Sequence, residues 1–130
     1  AILTTLGAAS CKKDKVNTQL PANYTNQGTI TVKNKSIKIG VYDNNGEDGD
    51  KLDLLFNGKT LLSNIEILNK PNVKYVDATL ENGNNWIGII VRDEGNPPCT
   101  ATITIDDGNS IQEIDIDGYI DEPGGYIIKL

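Results

Sequence analysis

The chain contains no histidine. That removes the side chain most used as a general base near neutral pH, and with it the usual zinc or iron ligand. Cysteine is nearly as scarce: Cys11 and Cys99 are the two in 130 residues, too few and too far apart for a multi-cysteine metal site or a disulfide framework. Lys and Arg number 12 against 18 Asp and Glu, for a formal net charge of -6. Nucleic-acid backbones need clustered cations, so this balance excludes them as a partner. An acidity of this size is enough to keep a domain soluble and needs no ligand to explain it. No apolar run approaches the ~20 residues that span a bilayer as a helix, and no segment carries a sustained helical stripe.

What the chain does have is short runs of β-branched residues at period two. They recur at residues 29–33, 36–41, 52–56, 61–68, 73–80, 86–92, 101–106, 111–116 and 125–130, separated by Gly, Asn, Asp and Pro. Asn57-Gly58, between Phe56 and Lys59, is a strong hairpin signal because both turn positions tolerate positive φ. Asp107-Gly108 plays the same part between the runs around Ile105 and Ile111. About nine strands joined by tight turns predict an all-β chain, a two-sheet antiparallel β-sandwich of immunoglobulin-like or jelly-roll-like type. The length suits a single such domain.

The first residues read AILTTLGAASC and are followed at once by KKDK. Residues 6–11, LGAASC, resemble the lipobox of bacterial lipoproteins, with Ala8 where Leu or Val is usual. The resemblance implies that residues 1–10 are the remnant of a signal peptide and that Cys11 is the lipidated N-terminus of the mature protein. Several acyl chains, at ~0.8 kcal/mol per buried methylene, hold a protein almost permanently at a membrane. Residues 11–27 carry no apolar period and read as a flexible tether, leaving residues 28–130 for the sandwich. Lys12 after the cysteine fits an outer-membrane location, with the face undecided.

Three further segments extend the resemblance. They are VYDNNGEDGDKLDLLFNGKTLLSN, ENGNNWIGIIVRDEGNPPCTATITIDDG and the closing GGYIIKL. Together they look like a small β-sandwich domain of secreted and lipid-anchored Gram-negative bacterial proteins. The resemblance covers roughly residues 36–130 and implies a fold and an envelope location, but no catalytic residues. This chain places Cys99 where that pattern has Asn, and Trp86 where a small polar residue is commoner.

Metal-capable oxygens gather in residues 41–59, where Asp43, Asn45, Glu47, Asp48 and Asp50 share one loop. Calcium takes about six to eight oxygens, so such a loop suits it if remote residues complete the shell. Glu94 is the favoured completing ligand, with Asp93, Asp106 and Asp107 as further sources. An EF-hand is excluded, since Asp48 stands where the turn glycine belongs and Leu54 where the last glutamate belongs. The competing reading is an ordinary solvated turn rich in Asp, Asn and Gly. Glu94 is also placed to latch onto the acidic loop's backbone. Cys99 reads as a buried, inert thiol.

If Ile87, Ile89 and Val91 face the core, Trp86 faces outward, either as a flat platform for a sugar ring or as a side chain packed beneath the N-terminal segment. With no nucleophile–base pair and no metal triad, the chain reads as a non-catalytic protein. Two readings stay open. One is a structural or protein-interaction domain of the envelope, held to the membrane by its lipid anchor. The other is a calcium-dependent binding module, with glycans as a ligand class.

Overall fold

A computed structural model of the chain describes residues 16–44 and 46–130. The lipobox, Cys11 and Asn45 lie outside the described residues. Among the described residues there are nine strands and no helix: β1 (Thr25–Thr31), β2 (Ser36–Tyr42), β3 (Lys51–Phe56), β4 (Lys59–Glu66), β5 (Lys74–Thr79), β6 (Asn84–Asp93), β7 (Cys99–Asp106), β8 (Ile111–Gly118) and β9 (Gly124–Lys129). They form a five-stranded sheet of order β1-β9-β6-β3-β4 and a four-stranded sheet of order β5-β2-β7-β8. This is the two-sheet sandwich that the period-two pattern predicts. The pairing is antiparallel except for one parallel pair, β1 with β9.

The alternation explains the core. In β2, Ile37, Ile39 and Val41 point inward, in β6 Ile87, Ile89 and Val91, and in β7 Ala101, Ile103 and Ile105. These side chains meet Leu52, Leu54 and Phe56 of β3 between the sheets. At ~25 cal/mol per Å² of apolar surface, such burial is the main force holding the sheets together.

Apart from the hairpins β3–β4 and β7–β8, every connection crosses from one sheet to the other. In the first hairpin, Asn57 has φ 49° and Gly58 φ 83°, a left-handed pair that these two residues supply with little strain. The second uses a four-residue loop closed by Asp107. Its Oδ1 accepts from the N–H of Asn109 and Ser110, and its Oδ2 from the N–H of Lys33.

The same end of the sandwich is closed by a buried amide pair. Asn85 is fully buried; its Oδ1 accepts from Asn57 Nδ2 and from the N–H of Glu81, each at 2.8 Å. Its Nδ2 donates to the carbonyl of Glu81 at 2.9 Å. Asn57 Oδ1 in turn accepts from the Trp86 N–H at 2.9 Å.

Residues 16–27 depart from the expected tether. Thr25 to Gln27 already belong to β1, and the segment before them lies on the outer face of the five-stranded sheet. Asn17 donates its N–H to the Asn57 carbonyl at 2.9 Å, and Leu20 packs on Gly125. Tyr24 meets Trp86 edge-on at 5.0 Å between ring centroids. Single residues spaced irregularly hold this segment, which is why no period marks it.

Removing the Asn85 amide leaves the Asn57 amide and a backbone N–H without partners in a dry site. Asn85→Ala is expected to lower stability by about 2–4 kcal/mol, against less than about 0.5 kcal/mol for the exposed Asn109→Ala. Urea denaturation of the two variants measures this. Equal midpoints would remove Asn85 from the account of how this end is closed.

Candidate metal centre

Four sheet-crossing loops meet at the opposite end of the strands: residues 43–50 between β2 and β3, 67–73 between β4 and β5, 94–98 between β6 and β7, and 119–123 between β8 and β9. The acidic loop ties this end together. Asp50 Oδ1 accepts from the Gly95 N–H at 2.7 Å, and Asp48 Oδ2 from the Asn96 N–H at 2.9 Å. The Asp50 carbonyl accepts from the Ile67 N–H, and Asp43 donates its N–H to the Leu68 carbonyl. Gly95 permits the approach, since a Cβ there would lie 2.1 Å from the Asp48 carbonyl oxygen.

Within this frame Asp43, Asp48 and Asp50 converge, each offering a carboxylate oxygen within 4.8 Å of the others. Asp43 and Asp50 are both 3% exposed, and Asp48 is half-buried. The sequence-predicted ligands thus divide. Glu47 turns to the Asn69 N–H at 2.8 Å and is exposed. Glu94 Oε1 accepts from the Ile120 N–H at 2.6 Å. Neither joins the group of three, and nor do Asp93, Asp106 or Asp107. The expected latch exists with its direction reversed: carboxylates of the acidic loop accept from the backbone after Glu94, while Glu94 itself secures the 119–123 loop.

A second feature sets this end apart. Among the described residues, the buried side-chain oxygens without a hydrogen-bond partner are Asp48 Oδ1, Asn69 Oδ1 and Glu94 Oε2. Asp48 belongs to the cluster, while Asn69 and Glu94 each neighbour a residue whose backbone is bonded to the acidic loop. A buried acceptor left without a donor costs about 1–3 kcal/mol. Within the cluster itself the orphan is Asp48 Oδ1, so three converging carboxylates, one with an unpartnered buried oxygen, form a donor set of the hard, anionic kind that calcium takes.

The electrostatics agree. Burial raises the Asp50 carboxyl above its ordinary value, the Gly95 N–H opposes this, and the neighbouring Asp48 raises it further. Cys99 is buried against the cluster, its thiol donating to Asp50; burial and then the Asp50 charge push it far above the ordinary thiol range. A thiol so held is inert. Carboxylates with a different task behave differently: the Asp53 carboxyl is lowered by its ion pair with Arg92, and Asp107 by three backbone N–H donors beginning with Lys33.

Trp86 corrects the platform expectation. It does lie on the outer face of its sheet, as the alternation requires, but it is 1% exposed. Its Nε1 donates to the Asn17 carbonyl at 2.7 Å and Tyr24 packs on its ring, so no face is left for a sugar. Gly88 makes the room, because a Cβ there would meet both rings at 2.9 Å.

The chain matches no family model, no curated protein and no solved structure.

Because its folded-state carboxyl is raised, Asp50 binds its proton more tightly in the folded protein than in the unfolded chain. The stability it contributes is present below the ordinary carboxylate range and is lost as pH rises through the raised value. Asp50→Asn keeps an acceptor for Gly95 without the charge. In chelator at neutral pH the variant is expected to melt above the wild type, with the difference vanishing on acidification. A variant that melts lower, with the same pH slope as the wild type, would contradict this.

Proposed function

We propose that this chain is a non-catalytic interaction module of the bacterial envelope whose acidic end is closed by calcium. One observation carries the calcium reading: Asp43, Asp48 and Asp50 offer carboxylate oxygens within 4.8 Å of one another, and Asp48 Oδ1 is buried there without a donor. Gathering three negative charges in a half-dry site is unfavourable without a proton or a cation, and neutral pH leaves few protons for carboxylates. A divalent cation removes that repulsion and gives Asp48 Oδ1 a partner.

In this reading the ion is structural. It holds the acidic loop in the form whose Asp50 and Asp48 carboxylates accept from the Gly95 and Asn96 N–H groups, and so steadies the 94–98 loop through those bonds. The described thiol, Cys99, is buried and held protonated, which supports a binding role over a nucleophilic one. The lipobox-like LGAASC supports membrane attachment at Cys11. Asn17 sits against the Asn57-Gly58 turn, so attachment there tethers the domain by its hairpin end, and the acidic end lies at the other end of the strands. An envelope protein or a glycan is the partner class that fits.

Thermal denaturation with calcium and with chelator tests the proposal. At calcium about a hundredfold above Kd, stability is expected to rise by about 2.7 kcal/mol, or roughly 10 °C in Tm for a domain of this size. Asp48→Asn and Asp43→Asn are expected to abolish most of the rise. A wild type that melts identically in calcium and chelator, or variants that keep the full shift, would overturn it.

A further inference from the structure

The two outer faces of the sandwich are not alike. Residues 16–24 and Trp86 cover part of the five-stranded sheet's outer face, whereas that of the four-stranded sheet carries a groove of about 490 Å³. That is within the roughly 300–1,000 Å³ typical of small-molecule sites. The register aligns Tyr75, Gly40, Thr104 and Glu113 in one row across β5, β2, β7 and β8. The adjacent row is Asp77, Lys38, Asp106 and Ile111.

Gly40 shapes the floor. A Cβ there would lie 2.8 Å from the Tyr75 ring and 2.5 Å from Thr104 Oγ1, so the ring packs over the glycine and stays 60% exposed. Polar groups of both signs line the groove. Lys38 Nζ lies 6.0 Å from the Tyr75 ring centroid, and Lys70 Nζ lies 4.9 Å from that of Tyr42. Glu113 Oε2 accepts from the Tyr42 hydroxyl at 2.9 Å, and Asp106 lines the same groove.

We infer that this groove binds a neutral saccharide, with Tyr75 as the stacking platform and Lys38, Lys70, Asp106 and Glu113 as hydroxyl-directed donors and acceptors. The chemistry selects that class. On a chain of net charge -6, the groove's two lysines balance its two carboxylates, so it favours neither a polyanion nor a polycation. A peptide adding as a strand needs free backbone groups, but β2 and β7 at the floor are each paired on both sides. An exposed aromatic ring in a groove lined by ammonium and carboxylate groups matches a sugar, which has an apolar ring face and a rim of hydroxyls. The site is separate from the acidic loop, and its occupancy does not require calcium.

Affinity electrophoresis through gels containing hydroxyethylcellulose, galactomannan, xyloglucan or, as the acidic comparison, alginate tests the inference. Each gel is run in calcium and in chelator. Retardation by at least one neutral polymer is expected in both conditions. Tyr75→Ala should weaken it roughly tenfold, while Tyr75→Phe retains it. Lys38→Ala, an exposed change that leaves the sheet intact, should also weaken it. Absence of retardation by every neutral polymer, retardation by alginate alone, or retention unchanged in both Tyr75→Ala and Lys38→Ala would overturn it. Trp86 is buried on the other sheet, so its fluorescence is not the readout.

Discussion

A sandwich whose strands keep crossing between sheets must bring backbone N–H groups to its two ends, where neither sheet supplies acceptors. Beside backbone pairs such as the Ile67 N–H with the Asp50 carbonyl, this chain meets that constraint with side-chain oxygens. Asp107 accepts for Lys33, Asn109 and Ser110, while Asn85 and Asn57 serve the hairpin end. At the other end Asp50, Asp48, Glu47 and Glu94 accept for Gly95, Asn96, Asn69 and Ile120. Without these bonds the part-buried N–H groups of Lys33 and Gly95 would be left unmet, while the exposed ones, such as those of Asn69 and Ile120, would turn to water and loosen their loops.

The two ends solve the problem with different electrostatic results. Asp107 is surrounded by donors, so its charge is favoured and its carboxyl lowered. Asp50 has a donor in Gly95, but burial and the adjacent Asp48 outweigh it, so its carboxyl is raised. One arrangement is complete by itself. The other holds more negative charge than its donors offset, and buried oxygens remain over. The same residue type therefore reads as a turn cap in one place and as a candidate ligand in the other, and the distinction rests on how many N–H groups reach each carboxylate.

Much of this was legible from residue order. Period two in β2, β6 and β7 assigns inward and outward faces, and Asn57-Gly58 marks its hairpin because the two φ values demand such residues. Alternation put Trp86 on the outer face but says nothing about what covers that face; the cover comes from Asn17, Leu20 and Tyr24, which share no period. The parallel pairing of β1 with β9 joins strands from opposite ends of the chain and leaves no local mark. In the acidic loop, nearness in sequence grouped Glu47 with Asp43, Asp48 and Asp50. The longer glutamate instead reaches away to Asn69, while Asp43, at the end of β2, is carried back to the others by the loop's turn.

The covered Trp86 and the open Tyr75 are two outcomes of one rule. A glycine on an outer strand position leaves a gap that an aromatic ring fills: Gly88 admits Trp86 and Tyr24, and Gly40 admits Tyr75. Over Gly88 a second segment of chain completes the packing, with the indole N–H satisfied by Asn17. Over Gly40 the ring keeps 60% of its surface exposed, with Lys38, Lys70, Asp106 and Glu113 along the groove around it. Exposing a large aromatic surface to water is unfavourable when a rearrangement can bury it. The chain buries its one tryptophan under residues 17–24 yet leaves Tyr75 uncovered among balanced charges, and that difference is what the proposed saccharide, a removable and hydroxyl-rich cover, would exploit.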